Sequence, residues 1–253
     1  MVEYASQKNE KHLFFAAPAA ETVLFFSTFF QWGDGTLRMR KKKNLDTRMA
    51  HCSPWLVQTP EDHKGRWREL MVQRTDCPLY LEIGCGKGRF TVETAATAPD
   101  ALYIAIERVA DAMVIAMERA RAQELDSVFF LDEDASRLPD LFSLREVDRI
   151  YINFCDPWPS NKHARRRLTH TGFLSIYWQL LKPGGEIHFK TDNQDLFEYS
   201  LFQFPKEGFT LKDVTRDLHG QDICGIMTDY EEKFYNEGLS INRCVAVKTE
   251  KSS

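Results

Sequence analysis

From Leu79 onward, short runs rich in Val, Ile, Phe and Tyr alternate with stretches whose apolar residues recur at helical spacing. The runs "LYLEI" (79–83), "LYIAIE" (102–107), "VFFLD" (128–132), "DRIYINF" (148–154), "EIHFKT" (186–191), "FTLKDV" (209–214) and "INRCVAVK" (241–248) predict seven strands. Between them, Ala112, Ile115, Ala116 and Arg119 share a helical face over 110–122. Phe173, Leu174, Tyr177 and Leu181 do so over 171–181, where Lys182-Pro183-Gly184-Gly185 stops the helix, because proline cannot continue it and glycine accepts the left-handed turn. Strand and helix in alternation predict an α/β fold with a mostly parallel sheet and helices on both faces.

Composition narrows this picture. At 253 residues and 43% hydrophobic content, the chain can bury a sizeable core. A formal net charge of -4 gives no global attraction to nucleic acid, so any such surface must be local. Cations cluster twice, at Arg38, Arg40, Lys41, Lys42, Lys43 and Arg48, and again at Lys162, His163, Arg165, Arg166 and Arg167. Six cysteines without a Cys-x-x-Cys pair, and histidines not at ligand spacing beside them, predict no metal site and reduced thiols in a cytoplasmic protein.

The apolar run from Leu13 to Phe30 is interrupted by Pro18 and Glu21. It matches neither the ~20 continuous apolar residues of a membrane-spanning helix nor a signal peptide. Residues 1–38 therefore read as a poorly structured extension, 39–75 as a basic N-terminal segment, and 76–253 as the main domain. "MRKKKNLDTRMA" also reads as a translation start at Met39.

"LEIGCGKGRF" places Gly84, Gly86 and Gly88 between the first strand and a helical pattern, where glycines let backbone approach a ligand. A pyrophosphate loop is expected as G-x-G-x-x-G, but this one is G-x-G-x-G with Glu82 just ahead of it. A carboxylate there repels pyrophosphate and attracts the ammonium and sulfonium of S-adenosylmethionine. Glu107, closing the second strand, suits ribose hydroxyls, and Asp134, after the third, suits an adenine amino group.

At the end of the fourth strand, Asp156-Pro157-Trp158-Pro159 forms a loop stiffened by two prolines. A carboxylate complements the N1–H and N2 amino edge of guanine, and an indole can stack on its face. The adjoining cations suit phosphate.

"LEIGCGKGRF", "AIERVADAM", "DRIYINFCDPWPSNKHARRRLT", "LKPGGEIHFKTDN" and "TDYEEKF" together resemble the blocks of the bacterial tRNA (guanine-N7)-methyltransferases over residues 39–247. The resemblance implies a seven-stranded Rossmann-like sheet with its last strand antiparallel, S-adenosylmethionine as methyl donor, and a variable-loop guanine of tRNA, at position 46, as target. It implies that Glu82, Gly84, Gly86, Gly88, Glu107, Asp134 and Asp156 line the cofactor site and that Asp156 is catalytic. Asp192, Thr228 and Glu231 would hold the guanosine. Ser160 and Asn161 stand where many members carry a substrate-binding lysine, which leaves Lys162 as its replacement and Arg165 as a neighbouring contact. No membrane and no stable protein partner are implied. Two alternatives remain at this level: methylation of an exocyclic amine, since Asp-Pro-Trp-Pro is similar to the Asp-Pro-Pro-Tyr loop of amino-methyltransferases, and a silent RNA-binding protein.

Overall fold

A computed structural model describes residues 44–249 except 72, 73, 75 and 221. The cations at 38–43 and the proposed extension lie outside the described residues, as does the Met39 start. Among the described residues, seven strands form one sheet: β1 (Leu79–Ile83), β2 (Leu102–Ile106), β3 (Val128–Leu131), β4 (Val147–Asn153), β5 (Leu181–Thr191), β6 (Phe209–Thr215) and β7 (Asn242–Lys248). Their order is β3-β2-β1-β4-β5-β7-β6, and β7 alone runs against its neighbours. The predicted strands are all present within a residue or two at most ends. The exception is β5, which starts at Leu181, because Leu181 already pairs with Val147 before the ladder slips and resumes at Glu186. Lys182 to Gly185 thus form an irregularity inside a strand edge, and the preceding helix ends at Leu180.

Among the described residues, seven α-helices surround the sheet: α1 (Leu45–His51), α2 (Arg89–Thr97), α3 (Ala110–Ala122), α4 (Leu138–Leu141), α5 (Thr171–Leu180), α6 (Gln194–Lys206) and α7 (Asp229–Asn236). Alternation along the strands sends Leu79, Leu81, Ile83, Ile104, Ile150, Ile152 and Phe189 to a core shared with α4, α5 and α6. The opposite face carries Tyr103, Ala105 and Tyr151 against α2 and α3, through Phe90, Met113 and Met117. Each large apolar side chain so buried contributes about 1.5–3 kcal/mol, which is what fixes the strand register.

The segment expected as a basic N-terminal piece is, where described, built into this core. Trp67 is fully buried against Phe142, and its indole donates to Leu141 O at 2.9 Å. Arg48 is committed to Glu118 on α3 by two hydrogen bonds of 2.6 and 2.7 Å, so this cation of the first cluster is a structural tie and not a free phosphate contact. No helix among the described residues is long and apolar enough to cross a membrane. No group of three or more His, Cys, Asp and Glu among them could hold a metal ion.

Candidate active site

β1 and β4 are neighbours in the sheet while β2 and β3 lie between them in sequence, so the chain reverses its direction of travel across the sheet there. Ligands of open α/β sheets bind beyond the carboxyl ends of strands at such a switch point. Of the acids singled out in the sequence, Glu82, Glu107, Asp134, Asp156 and Asp192 lie on or just beyond those ends, in five successive strands, and Glu231 lies on α7.

At the end of β1, Gly84, Gly86 and Gly88 all have positive φ, of 78°, 56° and 73°. Gly84 and Cys85 donate to Ile106 O, which ties the loop to β2. A Cβ on Gly84 or Gly86 would meet nothing within 4 Å, whereas one on Gly88 would stand 2.3 Å from Ala116 Cβ. Gly88 therefore serves the packing of α2 on α3, and Gly84 and Gly86 leave open space where a ligand can approach backbone.

Glu82 is only 4% exposed. One carboxylate oxygen accepts from Thr91 Oγ1 and the other from Asn153 Nδ2 at 3.0 Å. Burial pushes its carboxyl above the usual range, partly offset by those two donors and by nearby Lys190. Glu107 accepts from the Gly86 N–H at 2.9 Å and the Val109 N–H at 2.8 Å, so it shapes the glycine loop. Asp134 caps a short 3-10 turn by accepting from Ser136 N at 2.8 Å, and it pairs with Arg108 at 2.8 Å. Its partial burial pushes its pKa up, but the Ser136 N–H and Arg108 outweigh this and hold it below the usual range.

The end of β4 is different. Asp156 is exposed, and no hydrogen bond or ion pair reaches its carboxylate among the described residues. The backbone around it is strained: Phe154 has φ 54° and Trp158 has φ 42°, each costing about 1–3 kcal/mol for a bulky residue. Phe154 is secured by its N–H to Lys190 O, at 2.9 Å, and by packing on Phe234 of α7. Trp158 is flanked by the Arg166 guanidinium, 4.8 Å from its ring centre, and by the edge of His163. Cys155, next to Asp156, is pushed up to about 12 by burial and by the Asp156 charge, which makes it a poor nucleophile at neutral pH.

Lys162, Arg165 and Arg166 are exposed along the 3-10 segment Asn161–Arg166, as a phosphate-facing row requires. Arg167 is not. It is 7% exposed, and its guanidinium donates inward to Pro157 O and Trp158 O, so it does not belong to the surface cluster.

Asp192, just past β5, is exposed and has no hydrogen bond or ion pair among the described residues. Thr228 is the N-cap of α7, where its hydroxyl accepts from Glu231 N and its own N–H donates to Glu231. Glu231 is fully buried and also accepts from Lys190 Nζ at 3.0 and 3.1 Å and from His219 Nε2 at 2.8 Å. Both carboxylate oxygens are held by protein donors, an arrangement that anchors α7 to β5. His219 Nδ1 accepts from Cys224 N, which leaves the proton on Nε2 to face Glu231.

Sequence reasoning missed Thr91 and Asn153, the two donors on Glu82. The signal for Asn153 is an amide inside the otherwise apolar end of β4, a polar residue that needs a partner when buried. Its Oδ1 is itself buried without one among the described residues.

A protein family described as "Putative methyltransferase" matches residues 76–244. A tRNA (guanine-N(7)-)-methyltransferase of Halalkalibacterium halodurans is 46% identical over 211 residues, covering 83% of this chain and 95% of that relative. One of Geobacillus sp. is 44% identical over 209 residues, covering 82% and 94%. Among solved structures, the 16S rRNA methyltransferase KamB aligns with a TM-score of 0.56 at 17% identity, covering 72% of this chain and 93% of that one. An antibiotic-related methyltransferase aligns with a TM-score of 0.54 at 18% identity, over 76% and 94%. At such identities the two structures establish the fold alone.

Proposed function

The chain belongs to the tRNA (guanine-N7)-methyltransferase family, and from that premise we infer that it methylates N7 of guanine 46 in the tRNA variable loop, with Asp156 as the catalytic carboxylate. It is an S-adenosylmethionine-dependent enzyme of the Rossmann-like class. When bound, the cofactor supplies an electrophilic methyl group on a sulfonium. The residues present fit it: open space over Gly84 and Gly86, the Glu107 carboxylate at the end of β2, and the orphaned Asn153 Oδ1 beside Glu82. Glu107 would take the ribose. Glu82 and Asp134 would act on the cofactor end of the crevice while held by Thr91, Asn153, Ser136 and Arg108.

Guanine N7 has a lone pair and no proton, so no general base is required. What the site must do is hold the purine and accommodate the positive charge it gains. An exposed carboxylate without protein partners, on a strained loop at the switch point, suits that task, and this is the observation that carries the assignment. Asp192 and the Thr228 hydroxyl complete the guanosine contacts, Glu231 supports them from beneath, and Lys162 and Arg165 meet the tRNA backbone. The enzyme works in the cytoplasm, where its substrate is made.

Incubation with unmodified tRNA and labelled S-adenosylmethionine, followed by mass spectrometry of the digest, should yield N7-methylguanosine. A transcript carrying 7-deazaguanosine at position 46 should accept no label. Label on an exocyclic amine, or on the 7-deaza transcript, would contradict the assignment.

A further inference from the structure

We propose that Arg167 is a positioning residue for methyl transfer, a clamp that holds the Asp156–Pro159 loop in its working shape. It rests on the reading of Asp156 given above. Arg165 and Arg166 face solvent, but the next guanidinium turns inward. Its Nε donates to Pro157 O at 3.1 Å and Trp158 O at 3.2 Å, and Nη2 donates to Trp158 O at 2.9 Å. Its carbon centre lies 4.3 Å from the ring centre of Tyr199 on α6. A second tie beside it, Ser200 Oγ to Thr169 Oγ1 at 2.7 Å, fixes the same stretch of chain to the same helix.

The loop needs such a clamp. Pro157 and Pro159 have no N–H, so the loop lacks donors to close itself through its own backbone. Trp158, between them, sits at φ 42°, a conformation that a bulky side chain avoids. Strained backbone persists only where its surroundings impose it, and among the described residues Arg167 binds the carbonyls on both sides of the strained residue. The planar fork of arginine can span two carbonyls while stacking on an aromatic ring, and the single ammonium of lysine cannot. Arg167 thus acts on the reaction through Asp156, touching neither guanine nor methyl donor.

The test is Arg167→Lys, with kcat at saturating tRNA and the salt dependence of tRNA binding measured together. The clamp predicts a kcat reduced roughly tenfold or more through loop misplacement, with tRNA affinity, salt slope and cofactor affinity unchanged. A phosphate contact would give the reverse: weaker binding, a salt slope reduced by about 1, and normal kcat at saturation. That result, or wild-type behaviour throughout, would overturn the proposal. Arg165→Ala, an exposed cation, should show the phosphate pattern. If Arg167→Lys fails to fold, Tyr199→Leu keeps the carbonyl bonds and removes the stacking. It should lower kcat severalfold at unchanged tRNA affinity, and wild-type turnover in it would overturn the clamp. Asp156→Asn separates the two claims: normal turnover there removes the reading beneath the clamp, whereas loss there with normal Arg167→Lys removes the clamp alone.

Discussion

The acids at the ends of β1, β2 and β3 and those at the ends of β4 and β5 occupy one edge of one sheet, yet they live differently. Glu82, Glu107 and Asp134 all accept hydrogen bonds from protein donors. Asp156 and Asp192 are exposed, with no hydrogen bond or ion pair among the described residues. A carboxylate already held by protein donors is preorganised, and its remaining lone pairs can take a ligand without rearrangement. One held only by its backbone keeps its accepting capacity for what arrives from solvent. On the proposed function, the first group would build a standing cofactor site, and the second would be left open for a substrate that comes and goes.

The sharpest way to break the closed half is Gly88→Ala. The new methyl would meet Ala116 Cβ at 2.3 Å and Cα at 2.8 Å, at a φ of +73°. A loss of about 2–4 kcal/mol is expected by denaturant unfolding. Gly84→Ala, with nothing within 4 Å, should cost only about 1 kcal/mol of stability while weakening cofactor binding. Next comes the shared partner of Glu82. Asn153→Ala should destabilise by roughly 1–3 kcal/mol, because a buried carboxylate loses a donor, and should lower cofactor affinity in calorimetry. Last is Arg108→Ala. Its pair with Asp134 is mostly exposed, so stability should change by no more than ~0.5 kcal/mol, and cofactor affinity by a small factor. A large effect from Arg108 and none from Asn153 would reverse the proposed ranking within the closed half.

How far these differences could be read in the chain follows from their range in sequence. The strands declared themselves because alternation is local, and the switch-point acids because each directly follows or ends an apolar run. The helix at 194–206 and the one at 229–236 were not assigned, since the first is interrupted near its end by Pro205 and the second is short and polar. The inward turn of Arg167 was hidden for a different reason: nothing in "RRR" distinguishes the third arginine until Tyr199 and the loop carbonyls are placed around it. The donors on Glu231 were hidden likewise, because Lys190 comes from a strand 41 residues away and His219 from a loop. The Glu82 to Asn153 bond spans 71 residues and belongs to the same class.

The division between a held and an open half is tested most directly on Asp156→Asn, by measuring equilibrium binding of S-adenosylmethionine and single-turnover formation of N7-methylguanosine on the same preparation. The account predicts cofactor affinity within about threefold of wild type and transfer slowed by roughly 100-fold or more. Transfer near the wild-type rate, or cofactor affinity lost in step with it, would contradict it.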